Sequence, residues 1–339
     1  MKPKLLIAMR NELPDGFFGH GEWARLNAVT DVIPGFPFTD FDTAAGAEAL
    51  AGADILLAAW GTPSLTKERL ARAPKLKMVA YAASSVRAIA PDEFWEASDI
   101  PVTTAASAMA VPVAEFTYAA IIMCGKDVFR LRDEHRAQRG TGGFGSRRGL
   151  NLPYLGNYSR RVGIVGASRI GRLVIDMLSR GKFEIAVYDP FISAEEAASL
   201  GATKMELHEL LSWSDVVSLH APILPETRHM IGARELARMA DHAILINTAR
   251  GWLVDHDALM AEARSGRLRI FIDTPEPEPL PTDSAFYDLP NVVLTPHIAG
   301  ALGNELRALS DLAITEIERF VAGLPPLHPV RKQDMERVA

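Results

Sequence analysis

The stretch GIVGASRIG (163–171), running directly into RLVIDMLSRG, sets the fold of the larger part of this 339-residue chain. Against the pattern G-x-G-x-x-G it supplies Gly166 and Gly171 and puts Ser168 in the middle place. Such a match is weak alone, and its context carries it. The glycines follow an apolar run, RVGIV, and open a helix-like stretch. The next apolar run, EIAVYDP, ends in Asp189, about 20 residues further on, where a carboxylate meets an adenosine ribose in dinucleotide sites. Strand, tight turn and helix N-terminus in this order make a cradle for a pyrophosphate, whose charge the helix amides and dipole favour. Ser168 stands where glycine usually lets the backbone approach the phosphates, so a small shift must accommodate its Cβ, and its hydroxyl is a candidate donor to a phosphate oxygen. Pro190, Phe191 and Ile192 follow Asp189 with no Arg to receive a 2′-phosphate, so NAD is expected over NADP.

Outward from this turn the alternation continues. From residue 161 six apolar runs, RVGIVG, FEIAVYDP, DVVSLHAP, HAILINTARG, LRIFIDTP and NVVLTPHIAG, read as strands that end in polar or special residues. Ligands of open parallel sheets bind outside such carboxyl ends. The first third repeats the arrangement with KLLIAM, ADILLAAW, KMVAYAA and IPVTTA, separated by stretches such as TKERLARA, which predicts parallel βαβ units. The breaker-poor segment from Val111, VPVAEFTYAAIIMCGKDVFRLRDEHRAQ, predicts one long helix. The Gly- and Arg-rich stretch 139–161 then reads as a loop or an arm that wraps a partner subunit. The tail ELRALSDLAITEIERFVAG returns to helical periodicity and stops at Gly323. The length exceeds that at which single cores stop growing, so two domains are expected.

Composition narrows the function classes. A net charge of −6, from 36 basic against 42 acidic residues, leaves no basic footprint for nucleic acid or an anionic membrane. The single cysteine, Cys124, excludes an intrachain disulfide, reads as a buried structural thiol in its apolar run, and fits a reducing cytoplasm. The opening MKPKLLIAMRNELP carries an apolar run too short for a signal peptide. No uncharged apolar run approaches the roughly 18 residues of a bilayer span. The nine histidines show no paired ligand spacing, so no metal is expected.

Three strand endings carry chemistry together: LINTARG presents Arg250, DTPEPEPLP presents Asp273, Glu276 and Glu278, and LTPHIAG presents His297. Each alone has a plain structural account; behind a nucleotide turn they form a set. With GIVGASRIG, YDP, SLHAPILPETRHMIG, INTARG, DTPEPEPLP, NVVLTPHIAG and VPVAEFT in this order, the chain resembles the D-isomer-specific 2-hydroxyacid dehydrogenase family over nearly its whole length. The resemblance implies an α/β fold of two Rossmann-like or flavodoxin-like domains, each a parallel sheet flanked by helices. It implies a discontinuous substrate domain (1–104 and 300–339) with an NAD-binding domain (105–299) inserted in it. It also implies a homodimer through the cofactor domain, which gives the long helix and the arm a purpose.

Carried over residue by residue, the resemblance makes Arg250, Glu278 and His297 catalytic; Glu278 is preferred to Glu276 because it lies five places past Asp273. The implied cofactor positions are Gly166, Ser168, Arg169, Ile170, Gly171, Asp189, Pro190, His220, Ala221, Pro222, Thr248, Ala249, Asp273, His297 and Gly300, with Asp273 near the nicotinamide carboxamide. For the substrate, the family's glycine-rich turn is replaced by YAASSVRAI. Its amides at Ser84, Ser85 and Val86 remain candidates for the substrate carboxylate, with Arg87 as an added cation and Trp60 as a pocket wall.

The chemistry of these residue types is clear. Reduction of a 2-oxo acid needs a hydride at the carbonyl carbon and a proton at its oxygen, and an imidazolium is the natural donor near neutral pH. A carboxylate beside it, Glu278, favours the charged ring and fixes its orientation. Arg250 offers a planar fork of donors to the substrate carboxylate and the developing oxyanion. An NAD(H)-dependent D-2-hydroxyacid dehydrogenase working mainly as a reductase of small 2-oxo acids is therefore expected. Alternatives are a formate- or phosphite-type dehydrogenase of the same fold, in whose formate-type members Gln replaces the residue at Glu278, and an NAD-sensing corepressor-like binding protein, for which the chain lacks a long disordered tail or basic patch.

Overall fold

The computed structural model describes residues 1–139 and 152–336. Residues 140–151, the centre of the expected arm, lie outside the described residues. The chain divides into two compact units, Met1–Met109 with Ala301–Ala339, and Ala110–Gly300.

In the first unit, strands β1 (Lys4–Ala8), β2 (Asp31–Val32), β3 (Ile55–Ala58), β4 (Met78–Tyr81), β5 (Val102–Thr104) and β13 (Pro329–Val330) form one sheet in the order β13-β5-β4-β3-β1-β2. Neighbours from β5 to β2 run parallel, and β13 adds an antiparallel edge. The first five strands have the flavodoxin-like order, whose switch point lies between β1 and β3. Both faces are covered: Leu5 and Ile7 of β1 join one core cluster and Leu6 and Ala8 the other. This explains the unbroken apolar run KLLIA, since a strand buried on both sides does not alternate.

The helix Leu306–Val321 brings the tail back into this unit by burying Leu309, Ala313, Ile314 and Ile317, spaced for one helical face, among Leu5, Ile7 and Leu57. Its Glu316, buried, accepts hydrogen bonds from the Leu327 and His328 amides and so sets the approach to β13. Arg25, from the helix His20–Val29, adds a fork onto Glu318 at 2.8 and 2.7 Å.

The second unit holds β6 (Arg160–Val165), β7 (Phe183–Tyr188), β8 (Thr203–Lys204), β9 (Val216–Leu219), β10 (Ile244–Asn247), β11 (Arg269–Ile272) and β12 (Val292–Leu294). All pair in parallel in the order β12-β11-β10-β9-β6-β7-β8, the Rossmann arrangement extended by one strand. Val216, Ile244 and Ile246 point into one core and Val217, Leu219 and Leu245 into the other. The six expected strands are present. Sequence patterning missed the two-residue strands β2, β8 and β13, which are too short to show a period.

The expected long helix is instead two, Ala106–Gly125 and Val128–Gln138, separated at Asp127, which adopts left-handed φ 54°. The break has a packing cause. Asn157 donates to the Ile122 carbonyl at 3.0 Å, and a Cβ on Gly125 would lie 1.8 Å from the Asn157 Oδ1. Only glycine lets that side chain close the helix end. Arg130 then binds Asp127 at 2.6 Å at the start of the second helix.

By length and composition alone Ala106–Gly125 could cross a membrane; half of it is buried inside the protein, and Glu115 interrupts it. Cys124 on this helix is buried and free, and burial pushes its thiol up to about 12, as a structural thiol requires.

Candidate active site

The switch point of the second unit lies between β6 and β9, and the glycine turn occupies it. Gly166 leaves β6 at φ 100°, and a Cβ there would lie 2.7 Å from the Ala221 amide at the end of β9. A Cβ on Gly171 would lie 2.1 Å from the Gly166 carbonyl oxygen. Both positions therefore demand glycine for protein packing itself.

Ser168 is the N-cap of the helix Arg169–Ser179: its Oγ accepts from the Gly171 amide at 3.3 Å. Its presence has a local cause, since serine caps a helix that glycine would cap slightly less well. The hydroxyl proton remains to donate elsewhere. Arg169, exposed, and Ile170, half-buried, open the first turn.

Asp189 closes the turn from the other side. Its Oδ2 accepts from the Ala167 amide at 2.7 Å and its Oδ1 from the Phe191 amide at 2.8 Å. Each oxygen keeps a second lone pair for an incoming hydroxyl. Pro190 beside it is exposed.

His220 is fully buried, and desolvation pushes its imidazole down to about 3, so it is neutral. Its Nε2 meets Ser218 Oγ at 2.9 Å, while Nδ1 is a buried polar atom without a partner among the described residues. A buried ring nitrogen left open beside the glycine turn, amides at a helix N-terminus and a carboxylate at the next strand end are a donor and acceptor set that fits a dinucleotide. Ala221 is buried and Pro222 half-buried next to it.

The corner after β10 is built by Asn247. Its side chain accepts from the Ala249 amide at 3.1 Å and donates to the Arg250 carbonyl at 2.8 Å. Thr248, buried, bonds Thr117 of the VPVAEFT motif at 2.7 Å, oxygen to oxygen. Arg250 caps the short turn Gly251–Leu253, and its Nη1 donates to the Ala249 carbonyl at 2.6 Å. Burial pulls its guanidinium below the ordinary arginine value, with Glu278 opposing; it stays charged.

Asp273, at the end of β11 and fully buried, spends its carboxylate inside the protein. Oδ1 accepts from Thr295 Oγ1 at 2.6 Å and from the Ile298 amide at 2.9 Å, and Oδ2 from the Ala299 amide at 3.0 Å. The Asp273 carbonyl takes the His297 amide at 3.0 Å. These bonds hold His297 at left-handed φ 54°, a conformation that costs a non-glycine residue of order 1–3 kcal/mol and persists only when its surroundings over-determine it. Gly300 follows, half-buried. His297 Nδ1 meets Glu278 Oε1 at 2.7 Å, with each side chain 44% exposed. The pairing involves Glu278 and not Glu276, whose Oε2 is buried without a partner among the described residues.

In the first unit, Ser84 and Ser85 are half-buried at the end of β4, and Ser85 precedes the short turn Val86–Ala88. Thr104 Oγ1 contacts the carbonyls of Ala83 and Ser84 at 2.9 and 2.6 Å. Val86 is buried as a whole residue. The Arg87 guanidinium is tied to the Met335 carbonyl of the tail. Trp60 packs edge-on to Phe17, with ring centroids 6.1 Å apart, and rests on both core clusters.

The D-isomer-specific 2-hydroxyacid dehydrogenase NAD-binding-domain model matches residues 118–299. The chain belongs to the D-isomer-specific 2-hydroxyacid dehydrogenase family. Among members of this family, it is 30% identical to the D-3-phosphoglycerate dehydrogenase of Methanocaldococcus jannaschii over 81% of this chain and 51% of that protein. It thus spans about half of that relative's length. It is 32% identical to the glyoxylate reductase of Korarchaeum cryptofilum over 78% of this chain and 79% of that protein. A phosphoglycerate oxidoreductase from Rhizobium etli shares the fold, with a TM-score of 0.81 at 24% identity over 98% of this chain and 99% of that one.

For this 2-hydroxyacid dehydrogenase family member, two supporting residues escaped the sequence analysis, Asn247 and His256. Asn247 stood in the motif INTARG, where the Asn-to-corner pattern was a usable signal. His256, whose Nε2 accepts from the Glu276 amide at 3.0 Å, had none, because that donor is a backbone group distant in sequence.

Proposed function

We propose that the protein is an NAD(H)-dependent 2-hydroxyacid dehydrogenase that works mainly as a reductase of small 2-oxo acids. The observation that carries this is the 2.7 Å pair of His297 and Glu278, with Arg250 presented from the same sheet end behind the glycine turn. The Gly166–Gly171 turn and the amides of Ser168, Arg169 and Ile170 hold the pyrophosphate, Asp189 takes the adenosine ribose, and His220 Nδ1 faces the same ligand. NADH supplies the hydride when bound. Glu278 takes the Nδ1 proton of His297 in a hydrogen bond, which leaves Nε2 as the atom that gives a proton to the carbonyl oxygen. Arg250 binds the substrate carboxylate and stabilises negative charge on the reacting oxygen.

The preference for NAD rests on Asp189 and on Pro190-Phe191-Ile192 after it, which bring no cation. Replacing Asp189 by Ala removes the ribose acceptor and the tie to the Ala167 amide. NAD affinity should fall by about tenfold, a loss of about 1–2 kcal/mol, and discrimination against NADP should relax. Titration of both cofactors into Asp189→Ala measures this, and an unchanged NAD-to-NADP ratio would move the ribose contact to another residue.

The assembly proposed is a homodimer through the second unit. Val111, Glu115, Ala119 and Met123 support it, since they form one exposed and largely apolar stripe on the helix Ala106–Gly125. A reducing cytoplasm fits the single buried thiol.

The direct test of function is NADH oxidation with glyoxylate, hydroxypyruvate, pyruvate and phenylpyruvate, and NAD reduction with 3-phosphoglycerate and with formate. Turnover of a 2-oxo acid is expected. Formate-dependent NAD reduction would favour the formate-type alternative, against which the carboxylate at Glu278 argues. Absence of turnover in protein that binds NADH would count against an enzyme altogether.

A further inference from the structure

The charged groups Arg250 and Glu278 sit on two different segments of the second unit, the turn after β10 and the loop after β11, and one side chain joins those segments. His256, first residue of the helix His256–Ser265, contacts the Val254 carbonyl through Nδ1 at 3.1 Å and receives the Glu276 amide on Nε2 at 3.0 Å. A carbonyl only accepts and an amide N–H only donates, so the two partners fix one tautomer: Nδ1 carries the proton and Nε2 carries the lone pair. Glu276 is two residues before Glu278, and Val254 ends the turn that Arg250 caps. The segments also touch directly, since a Cβ on Gly251 would lie 2.6 Å from the Pro275 carbonyl carbon. The Phe286 ring stands edge-on to the imidazole, with ring centroids 6.1 Å apart.

We infer that His256 is a positioning residue that ties the loop bearing Glu278 to the turn bearing Arg250, and that it does so only as a neutral ring. Protonation turns Nε2 into a donor facing the Glu276 N–H, and the tie becomes a repulsion. Burial holds the imidazole below its ordinary value of 6.5. The Val254 carbonyl and the charges of Glu276 and Asp255 oppose burial, while His229 acts with it. The unfolded chain therefore takes this proton more readily than the folded one, so the tie's contribution to stability is complete above the ordinary imidazole value and is lost as pH falls through the lowered value of the folded ring, where the tie itself is broken.

The activity part of this inference rests on the proposed reductase function, so the test pairs turnover with a measurement that needs no substrate. Amide hydrogen exchange at Glu276 is followed by NMR in wild type, His256→Gln and His256→Leu, alongside kcat, KM and the pH profile of 2-oxo acid reduction. Gln restores an acceptor for the amide and cannot titrate; Leu supplies none. Protection at Glu276 is expected in wild type and His256→Gln and lost in His256→Leu, and only wild type should lose it on acidification. In parallel kcat should fall by up to about 10²-fold in His256→Leu, as a misplaced active-site group costs, with NADH affinity unchanged. It should be largely rescued in His256→Gln, whose acid limb should be shallower than that of wild type. Equal protection and equal pH profiles in all three proteins would overturn the inference. Loss of protection in His256→Leu with no turnover by any of the three would leave the tie standing and sink the reductase function instead.

Discussion

His297→Ala should abolish most 2-oxo acid reduction, lowering kcat on the order of 10²–10⁴-fold, while NADH affinity, which His297 shares with many other positions, stays nearly unchanged. The size of the effect follows from the geometry. Glu278 engages Nδ1 at 2.7 Å, so the ring is oriented and, in the proposed reaction, Nε2 is the atom that delivers the proton. Alanine removes that donor and leaves water to protonate the developing alkoxide. Cofactor affinity should be spared because the glycine turn, Asp189 and His220 are built by other segments. Steady-state turnover together with an NADH fluorescence titration separates the two quantities. Wild-type turnover in the variant would remove His297 from the proton-transfer role. Glu278→Gln, which keeps a hydrogen-bond acceptor but not the charge, should lie between the two.

Asp273→Ala should act on stability as well as activity. Among the described residues its carboxylate is the sole acceptor for the Thr295 hydroxyl and the Ile298 and Ala299 amides, all within the turn that presents His297. A donor orphaned in the interior costs about 1–3 kcal/mol, and the residue is fully buried. With water entering the cavity the loss should be about 3–5 kcal/mol, read as a lower denaturant midpoint for the transition that includes the second unit. The turn should also relax from the left-handed conformation at His297, so kcat should fall even in the folded fraction. Asp273→Asn should recover part of the loss, since its oxygen can accept two of the three bonds while its amide opposes the third donor. A change in stability below about 1 kcal/mol in the alanine variant would show that the turn is held by other contacts.

Much of the fold was legible because the central strands of both units are buried on both faces and announce themselves as apolar runs between polar endings. GIVGASRIG was legible for a different reason. The packing of Gly166 against Ala221 and of Gly171 against Gly166 leaves no room for a side chain, so the spacing of the glycines records backbone contacts. Ser168 looked like a departure from that spacing, and its role as an N-cap shows why serine is tolerated there.

What stayed illegible depends on partners far away in sequence. The break at Asp127 is set by Asn157, and the edge strand β13 by a buried Glu316 that binds the amides before it. Asp273 carried a motif, yet its three internal donors were invisible without the fold. His256 has no pattern around it that distinguishes it from a surface histidine at a helix start. In the first unit, the burial of Val86 and the bond from Arg87 to the Met335 carbonyl likewise depend on the fold and leave no mark in YAASSVRAI itself.

Hydride transfer itself is the step on which everything else depends, and isotope transfer measures it most directly. The protein is incubated with a 2-oxo acid and NADH deuterated at both C4 positions, and the hydroxy acid formed is analysed by mass spectrometry. One deuterium on C2 of the product, formed by wild type and nearly absent with His297→Ala, is the expected result. Unlabelled hydroxy acid, or NADH left unconsumed with every 2-oxo acid offered, would contradict it.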